Sequence, residues 1–157
     1  MNDAMQRQRR GNRIAMTAED IDTFLAEQRV CRLATIGLDG PHVTPLWFCW
    51  HHSDLWLYSI ARSQRFSDVR RDPRVSAVVD DGHDYLDLRG VEITGIVETV
   101  GEVPRVGEPN EQLPDVEATF AEKYFGMRDL PYDGKHAWLR LRPTKITSWD
   151  FRKLAGG

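Results

Sequence analysis

Cysteine is nearly missing from these 157 residues: only Cys31 and Cys49 occur, both within apolar runs and without the spacing of a metal site. A disulfide-stapled scaffold and a zinc module are thereby excluded. The expected state of both is a buried free thiol, with a disulfide as the minor alternative. Long apolar runs are missing too: nothing approaches the roughly 18 residues of a membrane-spanning helix, and the opening MNDAMQRQRRGNRIAM carries charge without the apolar centre of a signal peptide. A cytoplasmic protein with no membrane partner is expected. There is no surplus of positive charge either. Lys and Arg number 21 against 24 Asp and Glu, a net charge of -3, whereas a nucleic-acid surface needs a concentrated basic face. No nucleic-acid partner is expected. His42, His51, His52, His83 and His136 lack a compact ligand spacing, so no metal site is expected. Repeats and low-complexity segments are also absent.

What is present is the composition of an ordinary globular domain, 41% hydrophobic and 29% charged, with enough chain for one core. Residues 1–15 read as a flexible arm, 16–152 as the domain and 153–157 as a flexible tail. Thr17, followed by Glu19 and Asp20, makes a capped helix start, and Ile21, Phe24 and Leu25 share one face, so a helix is predicted to about residue 28. Strands are predicted at 30–36, 43–50, 55–59, 75–79, 85–100 and 138–149, with a second helix over 111–124 that has Pro114 in its first turn. The fifth strand changes phase: Leu86 and Leu88 occupy one face of the alternation, Val91, Ile93 and Val97 the other. A bulge at Arg89-Gly90, with Arg89 shaping the fold, would restore the register, and Gly95 permits a second bend. Pro143 restricts the last strand to an edge or a bend. So many short antiparallel strands hide their edges most economically in a barrel. The expected fold is mainly β with flanking helices, a six-stranded antiparallel barrel.

The segment from 55 to 80, LWLYSIARSQRFSDVRRDPRVSAVVD, carries the functional signal. A short helix should begin at Arg62, Ser63, Gln64 and Arg65, where cations oppose the helix dipole. Free N–H groups, a hydroxyl and two guanidinium groups there suit the phosphate of a small cofactor. The alternative is a solvated basic turn in which Arg62 and Arg65 pair with Asp68 or Asp72. Arg70 and Arg71 lie at the helix C-terminus, where cations belong. Trp47, Trp50 and Trp56 are expected to pack the barrel or an interface, with stacking on a ligand as the alternative for Trp47. The closing SWDFRKLAGG reads equally as an interface element or a packed tail.

With that strand order, the pieces LATIGLDGPHVTPLWF, LWLYSIARSQRFSDVRRDPRVSAVVD, LRGVEITG and WLRLRPTKITSWD make the chain resemble the split β-barrel flavin and deazaflavin oxidoreductases named after pyridoxamine 5'-phosphate oxidase. The resemblance implies an FMN-binding type of split barrel and a homodimer with its cofactor in a groove between subunits. Pyridoxamine phosphate oxidases carry an Arg and a Lys on the second strand for the FMN phosphate, where Thr44 and Cys49 stand here, and their Ser-Arg-Lys becomes Ser63-Gln64-Arg65. Pyridoxamine 5'-phosphate oxidase activity itself is therefore not expected. The pattern is similar to the branch that uses the deazaflavin coenzyme F-420. By that resemblance Arg62, Ser63, Gln64 and Arg65 would hold the phosphate, Thr44, Pro45, Leu46 and Trp47 would lie against the ring, and Ser59 and Ala61 would frame the ribityl chain. The implied reaction is hydride transfer to a small electron-poor redox substrate, the cofactor supplying the reactivity. FMN in the same place, or a non-catalytic flavin-, deazaflavin- or haem-binding protein, are the alternatives. No catalytic acid or base is assigned; Tyr58, His42 and Tyr85 are the proton donors on offer.

Overall fold

The computed structural model describes residues 11–155. Chain order is α1 (Ala18–Glu27), β1 (Cys31–Gly37), β2 (Gly40–Leu46), β3 (Phe48–His51), β4 (Asp54–Ile60), α2 (Gln64–Arg71), β5 (Arg74–Asp81), β6 (Arg89–Val100), α3 (Pro114–Phe125) and β7 (His136–Asp150). The first ten residues of the expected arm and the last two of the tail lie outside the described residues. Residues next to them make defined contacts: the Ile14 carbonyl accepts from the Asp150 N–H at 2.7 Å, and the Met16 N–H donates to Ser148 Oγ at 3.0 Å. Among the described residues no helix is long and apolar enough to cross a membrane.

Local signals account for the helix starts. Thr17 and Asp20 form a reciprocal capping box on α1, whose Ile21, Phe24 and Leu25 are buried. α3 opens with Pro114 at its first position and ends on Gly126 with φ of +63°, the left-handed backbone that glycine adopts without strain.

The sheet order is β2-β1-β5-β6-β7-β4-β3, antiparallel throughout. β2 and β3 are therefore the two edges of one sheet, yet only Trp47 separates them in the chain. The edges must come together, and the sheet curls into a split barrel. Its interior is filled by Leu33, Phe48, Leu55, Leu57, Ile93, Leu139 and Leu141, all fully buried, together with the face of α1.

Seven strands form where six were expected, because the predicted strand over 43–50 breaks at Trp47. The cause is Tyr124 on α3, whose hydroxyl accepts the Phe48 N–H at 3.0 Å and faces the carbonyls of Phe48 and Arg29 at 2.8 Å each. The Trp47 ring stacks on Tyr124 with centroids 4.4 Å apart. A helix thus caps the outer edge of β3. The expected bulge at Arg89-Gly90 is also displaced. Arg89 to Thr94 pair regularly with β7, and the register slips at Gly95, where Lys145 and Pro143 are the successive partners and Thr144 is left over. A Cβ on Gly95 would meet the Arg142 carbonyl oxygen at 2.1 Å, so this close approach needs glycine. Residues 85–87 form a 3-10 turn with exposed Tyr85 and Leu86 rather than the start of β6.

A second apolar cluster lies under α3: Val116, Phe120 and Ala121 cover Cys49, Trp56, Tyr58 and Trp138 on the outer side of β3, β4 and β7. The loop from 101 to 113 is anchored there by Arg105, which is buried, donates to Glu117 Oε1 at 2.6 Å and to Glu102 Oε1 at 2.5 Å, and lies against Tyr132.

Candidate cofactor and ligand site

α2 starts where its sequence said it should, and its first turn contains no acid. The Ser63 hydroxyl is already engaged as the N-cap: it accepts from the Phe66 N–H at 3.3 Å and donates to the Ile60 carbonyl at 2.7 Å. Gln64 turns along the helix and donates to Asp68 Oδ1 at 2.8 Å. Arg62 is exposed. The Ala61 N–H donates to the Lys135 carbonyl at 2.8 Å, tying this turn to the loop that enters β7.

Arg65 draws three elements together. Its Nε donates to Ser59 Oγ on β4 and its Nη1 to Thr44 Oγ1 on β2, each at 2.9 Å. No carboxylate among the described residues forms an ion pair with it. Asp68 and Asp72, its suggested partners, are taken by Arg71 and Arg74. Burial lowers the pKa of the Arg65 guanidinium, but a guanidinium stays protonated, so a charge held by two neutral hydroxyls sits in a half-buried place.

Beside Arg65 opens a cavity of about 220 Å³. Pro45, Leu46 and Trp47 form one wall, and Phe120 and Phe125 of α3 form the roof. Its far end is made by Tyr58, Asp133 and His136, which the sequence reading did not put in the site. Asp133 is fixed on Oδ1 by the backbone N–H groups of Lys135 and His136, at 2.8 and 3.0 Å, and its Oδ2 meets His136 Nδ1. Burial works to raise the Asp133 carboxyl, yet those N–H groups and the imidazole hold it below its usual range. Tyr58 is sandwiched between His136 and Trp138, with centroid distances of 4.8 and 4.6 Å. Burial, reinforced by the nearby Asp133 and Glu117 carboxylates, pushes the Tyr58 phenol up, so it remains an O–H donor. The only signal for this end in the chain is an Asp and a His three residues apart just before a strand.

The other donors on offer lie elsewhere. His42 Nδ1 faces Asp68 at 3.4 Å, and Tyr85 packs on Phe151. Trp50 donates to Asp22 at 2.7 Å and Trp56 is buried under α3, so both pack the fold. Cys49 is buried with its Sγ 3.8 Å from the Val116 carbonyl, and burial pushes the thiols of Cys31 and Cys49 up to about 12, which leaves both free and inert. A larger cavity of about 660 Å³ runs between α1 and α3 past Arg29 and Lys123 and includes none of the predicted site residues.

A curled antiparallel sheet whose second and fourth strands share an arginine with the start of a short helix defines the class: a split-barrel protein of the flavin-binding type. The chain belongs to the pyridoxamine 5'-phosphate oxidase family, whose pattern matches residues 17–150. Among solved structures, a conserved hypothetical protein from Mycobacterium tuberculosis is 32% identical with a TM-score of 0.79, over 96% of this chain and 94% of that one. An F-420 reductase is 25% identical with a TM-score of 0.57, over 80% of this chain and 94% of that one. A FAD-binding protein from Mesorhizobium loti, similar in fold, is 22% identical with a TM-score of 0.63, over 85% and 93% of the two chains. No curated protein matches the chain significantly.

Proposed function

We propose that the protein is an oxidoreductase that uses reduced coenzyme F-420 to reduce a small electron-poor acceptor. One observation carries the reading: Arg65, without an acidic partner among the described residues, is braced by Thr44 and Ser59 at the acid-free start of α2 and beside an aromatic wall. First-turn N–H groups have no partner within a helix, and the Ser63 cap satisfies only that of Phe66. An anionic group completes such a place. The second-strand cations of a pyridoxamine phosphate oxidase have no counterpart here: Thr44 is spent on Arg65, and Cys49 is buried under α3. The F-420 reductase among the similar structures agrees with this direction.

In this reading Arg65, the free N–H groups of α2 and exposed Arg62 hold the phosphate, Pro45, Leu46 and Trp47 orient the ring, and Ser59 and Ala61 frame the chain between them. The bound cofactor supplies the hydride. The protein supplies position and a water-poor wall. At about 220 Å³ the cavity is below the roughly 300–1,000 Å³ that drug-sized ligands occupy, so in this reading the cofactor would extend beyond it, across a groove that a second copy would complete. FMN in the same groove is the second reading, because the anion cradle and wall would serve it equally; a protein that holds either without turnover is the third.

Parallel titrations of the intrinsic tryptophan fluorescence with F-420 and with FMN test the assignment. Saturable binding that favours F-420 is expected, and Arg65→Ala weakens it by about 1.5–3 kcal/mol, the range for a hydrogen bond to a charged group. Preference for FMN moves the protein to the second reading, and binding of neither rejects both.

A further inference from the structure

The far end of the 220 Å³ cavity has a polar chemistry that the cofactor reading does not use. Tyr58 is 8% exposed, lines the cavity, and its hydroxyl has no hydrogen-bond partner among the described residues. A buried hydroxyl without an acceptor is rare in folded proteins, and this one belongs to a residue that lines a cavity. His136 lies against the Tyr58 ring, and its Nδ1 is committed to Asp133. That bond orients the imidazole and leaves Nε2 as its available nitrogen. The carboxylate of this pair is held by two backbone N–H groups, so the pair is built into the loop before β7 rather than borrowed from a mobile side chain. Around it the walls are aromatic and flat: Trp47, Phe120 and Phe125.

We infer that Tyr58 and His136, the latter oriented by Asp133, form an oxygen-recognition end for a small planar conjugated carbonyl compound that lies against the Phe120 and Phe125 rings. The Tyr58 hydroxyl donates to the carbonyl oxygen. His136, oriented through Nδ1 by Asp133, places its Nε2 as the second polar contact at that end. Arg65, at the opposite end, stays with the cofactor. The inference rests on the oxidoreductase reading only in calling the bound compound the acceptor; the recognition itself is a property of the chain and is measured without cofactor.

The test uses the full chain and two probes of the same ring shape, 2-methyl-1,4-naphthoquinone and 2-methylnaphthalene, which lacks the oxygens. Quenching of tryptophan fluorescence follows the first, and competition against it follows the second. Wild type is expected to prefer the quinone. Tyr58→Phe and His136→Gln each lower quinone affinity about threefold to tenfold, the range one hydrogen bond supplies, while affinity for 2-methylnaphthalene stays within twofold. Equal losses for both probes mean that the variants damage the cavity generally and overturn the inference, as does a wild type without preference. F-420 titrations of the same proteins separate the two readings. If F-420 fails to bind wild type while the quinone preference still depends on Tyr58 and His136, the cofactor assignment falls and the oxygen end stands.

Discussion

Asp68 shows how one buried carboxylate fixes the start of α2. It is fully buried, and it accepts from Thr35 Oγ1 at 2.8 Å, Gln64 Nε2 at 2.8 Å and Arg71 Nη2 at 3.3 Å, with His42 Nδ1 facing it at 3.4 Å. Burial works to raise its pKa, but the bonds from Gln64, Thr35 and Arg71 outweigh it and the pKa is lowered on folding. A lowered carboxylate contributes stability above its unfolded pKa and loses it as pH falls through the folded value. Urea unfolding should therefore find Asp68→Asn about 1–3 kcal/mol less stable than wild type at pH 7, with the gap closing as the pH falls through the lowered pKa of Asp68. A gap that persists in acid would mean that geometry, not charge, is what Asp68 supplies. At the same scale, the prediction for Arg65→Ala separates a ligand-binding cation from a structural one, because its side-chain partners among the described residues are two hydroxyls.

Between elements, the firmest link is the buried cluster that holds the 101–113 loop to α3. Arg105 joins Glu102 and Glu117, and the Tyr132 hydroxyl donates to Glu117 Oε2 at 2.6 Å. Burial alone would raise the Glu102 carboxyl; backbone N–H groups at 102, 106 and 108 and the Arg105 guanidinium bring it down to about 2. Arg105→Ala leaves two carboxylates without their cation and should cost about 3–5 kcal/mol, read as a lower urea midpoint with an unchanged m-value. A loss below 1 kcal/mol would show that the loop relaxes and hydrates both acids. Since α3 roofs the ligand cavity, the same variant reports how far that roof depends on the clamp. The element boundaries that were legible in the chain are those with a local cause: Thr17 as the cap of α1, the start of α2 at the basic turn, and Pro114 at the first turn of α3. The break at Trp47 was not legible, because it arises from Tyr124, 77 positions away in the chain, whereas the slip at Gly95 falls where that glycine marked a second bend.

For the whole molecule, a sheet whose two edge strands are separated by one residue has to curl, and that closure brings β2, β4 and α2 to one side. Val43 is 63% exposed on edge strand β2, and Trp47 and Phe125 are 42% and 44% exposed at the cavity, a pattern that fits burial against a second copy. Light scattering on the eluting peak of a sizing column should give twice the chain mass of 18.1 kDa. A monomer would leave the proposed groove with one wall and count against the proposed homodimer.

By itself the sequence determined the antiparallel β class, the family, the helix that starts at the basic turn, and the presence of Arg65 and the Pro45–Trp47 segment near one another. Those follow from short-range rules of capping, alternation and turn chemistry, and from a pattern that spans most of the chain. Only the tertiary structure decided that Arg65 is braced by Thr44 and Ser59, and that Tyr58, Asp133 and His136 close the cavity. Each of these depends on which side-chain oxygens the barrel closure brings within 3.5 Å, a long-range geometry that no local rule encodes.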